Sequence, residues 1–137
     1  MEREAPLPSV AVLPFLNFSP DPENEFFADG VTEDVIAQLS KIRGLKVISR
    51  SSIMRYKKRE QSLREIADTL GVATLLDGSV RRAGQQVRIV AQLVDAMSDN
   101  PLWAETYDRK LTDIFAIQSD VAIEIASALE AELSPAE

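Results

Sequence analysis

Apolar and polar positions change their period along this chain and mark out eight expected elements. "SVAVLPF", from Ser9 to Phe15, is a short aliphatic and β-branched run that predicts a buried strand stopped by Pro14. "NFSPDPENEF" is rich in turn formers and reads as a loop. From about Phe26 to Ile42 the period becomes helical. Ala28, Val31, Val35, Leu39 and Ile42 share one face at spacings of three and four, and Gly44 stands just past the expected end as a C′ glycine. "LKVISR" alternates as a second strand, with Leu45 and Val47 on one side. "SSIMRYKKREQ" predicts a short helical turn followed by a loop. Ser62-Leu63-Arg64-Glu65 is a capping box that opens a helix through Ile66, Ala67 and Leu70, ended by Gly71.

"VATLLDGSVRR" and "QVRIVAQLVDA" are strand-like runs joined by Ala83-Gly84-Gln85, which predicts a hairpin. Val87, Ile89, Ala91 and Leu93 share one face of the second run. "LWAETYDR" is a further strand, with Trp103, Glu105 and Tyr107 on one side. Leu111, Ile114, Phe115, Val121, Ala122, Ile125 and Leu129 then mark a long amphipathic helix, with Leu133 near its end. The order is βαβαβββα. Two β-α-β steps imply right-handed crossovers, and the meander adds antiparallel strands. The expected fold is an α/β two-layer sandwich with a mixed sheet of about five strands and helices mainly on one face. One domain spans residues 9–133, with polar, Pro-containing linkers at 1–8 and 134–137.

Composition narrows the chemistry. A chain of 137 residues with 45% hydrophobic content suits one domain with its own core. No apolar run approaches the roughly 20 residues of a membrane span, and Glu2, Arg3 and Glu4 after Met1 do not open a signal peptide. With no His and no Cys, thiol nucleophiles, zinc–thiolate sites and a Ser-His-Asp triad are excluded within this chain. No catalytic residue, metal or cofactor is expected. The net charge of −7 argues against a general nucleic-acid binder. The charge is uneven, however: Lys41, Arg43, Lys46, Arg50, Arg55, Lys57, Lys58 and Arg59 crowd one window with a single acid, Glu60.

Four features are candidate sites. Trp103 and Tyr107, with Glu105 between them, frame a ligand pocket or else pack beneath the final helix near Ile114 and Phe115. Packing is the preferred reading, because aromatics anchor such seams. The acidic stretch "DPENEFFADGVTED" lacks an EF-hand pattern, and its carboxylates suit a loop and the first turns of a helix, where the macrodipole favours them. Asp29 is expected to cap amides there. The basic segment, with Arg55, Tyr56 and Lys57 as a stacking-plus-charge unit and Arg81 and Arg82 nearby, suits a phosphate, a nucleic-acid strand or an acidic partner, against a solvated loop balanced by the acids elsewhere. Asp77 is expected to pair with Arg81 or Arg88.

"LPFLNFSPDPENEFFADGVTEDVIAQLS", "GVATLLDGSVRRAGQQVRIVAQLVDA" and "LWAETYDRKLTDIFAIQ" closely resemble the TolB amino-terminal-domain-like family of bacteria, from about Ser9 to Leu133. In that family the domain sits between an amino-terminal signalling module, often an adenylate/guanylate cyclase or else a winged-helix or kinase domain, and tetratricopeptide repeats. The resemblance implies a cytoplasmic accessory domain of a multidomain signalling protein that contacts neighbouring domains, another protein or a second copy of itself. The alternative is a small-ligand sensor for an anion or nucleotide, with a cleft near Asn17, Asp29 and Arg50. A weaker alternative is nucleic-acid contact through residues 41–59.

Overall fold

A computed structural model describes residues 8–19 and 21–133, so the expected linkers at 1–8 and 134–137, Pro8 apart, lie outside the described residues. The elements are β1 (Ser9–Val12), β2 (Leu16–Asn17), α1 (Glu23–Leu39), β3 (Lys46–Val47), α2 (Arg50–Ile53) with a 3₁₀ turn (Met54–Tyr56), α3 (Leu63–Leu70), β4 (Thr74–Ala83), β5 (Gln86–Asp95), β6 (Pro101–Lys110) and α4 (Ile114–Leu133). The strand order is β3-β1-β4-β5-β6, with β2 continuing the line of β1 beside β4. β1 pairs in parallel with β3 and β4, whereas β4, β5 and β6 form an antiparallel meander. This is the expected mixed α/β sheet, with a sixth strand because the first is broken in two.

Proline makes the break. Leu13 still donates its N–H to Leu76 O at 2.9 Å, but Pro14 has no N–H to give. Phe15 turns its N–H out of the sheet to Thr32 Oγ1 on α1, also at 2.9 Å, and the ladder resumes with Phe18 N–H on Val80 O. Thr32 Oγ1 donates in turn to Ala28 O, so this buried hydroxyl ties the broken strand to the helix above it. The Phe15 ring lies directly on Gly78, where a Cβ would come within 2.4 Å of the ring and 2.5 Å of Val90 O.

The crossovers run in opposite directions, β1 to β3 outward and β3 to β4 back across β1. Right-handed connections therefore place α1 and α3 on opposite faces. α4 packs beside α1. The two long helices thus share one face, as expected for most of the helical cover. They bury Val12, Phe15, Leu76, Val80, Ile89, Ala91 and Leu93. On the far face Ala11, Leu13, Leu75 and Val94 are buried by the α2–α3 segment, which contributes Ile53, Ile66 and Ala67. Over β5 and β6 that face is open, with Arg88, Leu102, Ala104, Thr106 and Asp108 exposed.

Local chemistry shifts several boundaries. α1 starts three residues before the apolar period does, because Asp21 Oδ1 takes the Glu23 N–H at 3.0 Å and Pro22 suits a helix start. It ends at Leu39, where Ser40 Oγ turns back to Ile36 O, so Gly44 (φ +83°) shapes the following turn and is not the C′ residue. α4 starts at Ile114 and not Leu111, because Asp113 Oδ1 accepts the N–H groups of Phe115 and Ala116. Ser62 caps α3 by accepting the Glu65 N–H at Oγ and donates its hydroxyl to Glu65 Oε1, and Gly71 closes α3 in the left-handed region.

Gly78→Ala is expected to destabilise the fold by about 1–3 kcal/mol through overpacking against Phe15. Thr32→Val, which leaves the buried Phe15 N–H without an acceptor, is expected to cost about 1–3 kcal/mol. Urea denaturation followed by circular dichroism checks both, and an unchanged midpoint would contradict this account of the break.

Candidate functional site

The basic segment is bound up with α1. Glu25, Asp29 and Glu33 recur at intervals of four and make one acidic stripe along that helix. Lys57 Nζ lies 2.7 Å from Glu25 and 2.9 Å from Asp29, while Arg50 Nε lies 3.3 Å from Glu33. The hydrogen bond that Lys57 donates to Glu25 raises its pKa above the ordinary lysine value, outweighing partial burial. Asp29 lies well inside α1, so it caps no helix end and instead holds Lys57 through Oδ2. Tyr56 is buried in the core and offers no ring for stacking, whereas Arg55 beside it is exposed.

Arg59 does what the spacing of charges did not suggest. Its side chain is only 12% exposed, and the guanidinium reaches both the Asp77 carboxylate and Pro14 O. Asp77 therefore pairs with Arg59, not with Arg81 or Arg88. Arg88 pairs instead with Asp108 in a two-pronged contact at 2.7 and 3.1 Å, which holds the Asp108 carboxyl below the usual carboxylate range.

The aromatic strand divides into two parts. Tyr107 is buried, the Arg109 guanidinium stands 5.7 Å from its ring centre, and Arg109 also pairs with Glu124 on α4. This is the seam between strand and helix. Trp103 pairs with Leu93 and is partly buried against the core. It is seven residues from the strand's end, a distance of roughly 23 Å. It does not lie beneath Ile114 and Phe115, which open α4 at the other end of β6 and are themselves exposed.

That open end gathers the unassigned groups. Asn17 shapes the loop after β2, accepting the Ser19 N–H at Oδ1 and donating through Nδ2 to Asp21 O. Asn17, Asp29 and Arg50 have separate partners and no common one. Phe18, Ser19, Arg81, Arg82, Ala83, Gln86, Val87, Arg88 and Asp108 surround a cavity of about 430 Å³, and no residue of 41–59 lines it. Three of the five phenylalanines are largely exposed: Phe18 (61%), Phe26 (80%) and Phe115 (79%). Phe26 and Phe115 belong to the α1–α4 seam. Gln118 Nε2 reaches Phe27 O, and Gly30 leaves room for that side chain. Phe26 is four residues before Gly30 and Phe115 three before Gln118. They continue the two facing stripes one turn beyond the covered sheet.

Burial, with Glu124 and Glu105 nearby, pushes the Tyr107 phenol up to about 12. A phenol kept neutral in the fold contributes fully below its ordinary value of 10.0 and loses that contribution as pH rises towards 12. Ultraviolet difference titration should therefore show a late-ionising tyrosine, and stability should fall between pH 10 and 12. Tyr107→Phe should remove the late phase and flatten that fall; a late phase that persists would place it elsewhere.

Comparison with known proteins sets this geometry in context. Residues 6–124 match the family model described as "HilA/YgeH-like transcriptional regulator, second domain". Over 130 residues, 95% of this chain, the sequence is 51% identical to a Rhizobium meliloti (strain 1021) protein named "Putative adenylate cyclase 3". The chain spans only 22% of that relative's length. Lipoprotein GNA1162 from Neisseria meningitidis has the same fold, with a TM-score of 0.65 at 18% identity over 90% of this chain and 99% of its own. TolB from Acinetobacter baumannii gives 0.60 at 18% identity over 91% of this chain and 29% of its own. The likeness to TolB is thus one of fold. By its sequence, the chain belongs to the family of HilA/YgeH-like transcriptional regulator second domains.

Proposed function

We propose that this domain is a non-catalytic accessory module of a multidomain bacterial signalling protein, and that it works by docking against a neighbouring domain or a separate protein. The observation that carries this reading is the pair Phe26 and Phe115, at least 79% exposed at the head of the α1–α4 seam. Exposed apolar rings that group on one surface mark interaction sites, unlike rings scattered singly. Both lie at the ends of helices held rigidly on the sheet, which suits a pre-formed contact. The name of the 51% identical relative, and the fraction of it that this chain spans, favour an adenylate/guanylate cyclase as the parent. In that parent the domain sits in the cytoplasm between the signalling module and tetratricopeptide repeats. The described residues contain no helix long and apolar enough to cross a membrane.

The test is light scattering and sedimentation of the chain mixed with each domain that flanks it in the parent. A stable complex is expected with one of them. Phe26→Ser combined with Phe115→Ser should weaken it at least tenfold, since a central aromatic contact contributes about 2 kcal/mol or more. The thermal midpoint of the double variant should stay near that of the parent sequence, because neither ring is buried. Absence of any complex, or a complex indifferent to the double variant, would contradict the proposal.

A further inference from the structure

The meander carries an arrangement that the docking proposal leaves unused. Arg81 and Arg88 are directly opposite each other on β4 and β5, and Arg88 is directly opposite Asp108 on β6. Phe18 follows the Asn17–Val80 pair, so the alternation of side chains puts it on the same face as Arg81. Phe18, just past β2, therefore forms one row with Arg81, Arg88 and Asp108 on β4, β5 and β6, at the rim of the 430 Å³ cavity. Like charges placed directly opposite on adjacent strands destabilise a sheet. Asp108 relieves Arg88, but Arg81 has no acidic partner among the described residues. This occurs in a chain whose acids outnumber its bases by 22 to 15. Arg82 adds a third guanidinium at the same end. Its Nε donates to Gly84 O, and its N–H is held by Ser19 Oγ at 2.7 Å.

We propose that this end of the sheet is a binding site for a small organic phosphate that carries a flat ring, of the nucleoside monophosphate class. Arg81 and Arg88 less the Asp108 carboxylate leave one positive charge on this face, and Arg82, whose side chain starts from the opposite face but reaches the cavity's edge, adds a second, which together suit a phosphate monoester of about −1.5 to −2. Arg81 offers an unpaired fork and Arg88 the N–H groups that Asp108 does not take, which suits the several oxygens of that group, since a guanidinium binds phosphate in pairs of hydrogen bonds. Phe18, exposed at the rim, provides an apolar surface for the ring. The cavity's volume falls within the range of small-ligand sites. The site is separate from Phe26 and Phe115, so its existence does not depend on the docking surface.

Calorimetric and NMR titration of the intact chain with 5′-AMP, adenosine and inorganic phosphate, at low and moderate salt, tests the assignment. Saturable binding of 5′-AMP is expected, tighter than that of either half, weakening with salt and shifting the amides of residues 18–19 and 81–88. Arg81→Ala should lower the affinity about tenfold, as expected for the loss of a charge-assisted hydrogen bond. Phe18→Ser should lower it about fivefold or more through lost stacking. Arg55→Ala, in the exposed part of the basic segment, should leave it unchanged. Each of four outcomes would overturn the proposal: no binding up to about 10 mM, equal binding of adenosine, indifference to Arg81→Ala, or inorganic phosphate binding as tightly as 5′-AMP. Much tighter binding of a single-stranded oligonucleotide than of the mononucleotide would overturn it in favour of a strand-binding surface.

Discussion

The sheet depends on how the chain crosses the gap at Pro14 and Phe15. A parallel central strand that loses its ladder for two residues must find other partners for the peptide groups there, since buried unpaired groups cost a few kcal/mol each. Two distant residues provide them, and a third makes room for the side chain. Thr32 on α1 takes the Phe15 N–H, Arg59 takes Pro14 O, and Gly78 leaves the space into which the Phe15 ring sinks. The helix on one face, the crossover segment on the other and the meander are thus joined at one point. Asp77 completes it by neutralising the guanidinium that the gap draws in. This explains a carboxylate in the middle of an otherwise apolar run on β4.

Electrostatics follows from the same arrangement. The crossover that delivers Arg59 also carries Arg50 and Lys57 past α1, where the Glu25–Asp29–Glu33 stripe receives them. Three of the eight cations in the 41–59 window, Arg50, Lys57 and Arg59, are therefore engaged in tertiary ion pairs, those of Arg50 and Lys57 modest because the side chains are partly solvated. A second concentration of positive charge lies on the hairpin end of the meander. There only Asp108 opposes three arginines.

The two surfaces with unused chemistry lie at one end of the sheet for a topological reason. β1, β4 and β6 run the same way, and both long helices begin where β1–β2 and β6 finish. Loops, helix starts and exposed rings collect where strands end, because the sheet's interior has no room for them. Phe26 and Phe115 crown the helix face, and Phe18 with the arginines borders the far face. The domain thus presents an apolar surface and a cationic one side by side, each on a rigid support.

Much of this was legible from periodicity. Strand and helix order, the Ser62 capping box, the hairpin at Gly84 and the buried faces of α1, β5 and α4 follow from local spacing and local chemistry, which act within a few residues. The weak points of that reading were those that distant residues decide. Nothing near Asp77 names Arg59 as its partner, eighteen residues away. Nothing near Tyr56 says that it is core and not a stacking platform, and the aromatic strand alone does not say which end of it α4 will cover. An isolated acid in a strand signals that some cation must come, but not which one. The sequence by itself determined the elements, their order and the α/β class, because hydrophobic period and capping are local forces. Only the tertiary structure decided which charges cancel and which remain, because pairing depends on where the crossovers bring segments together in space.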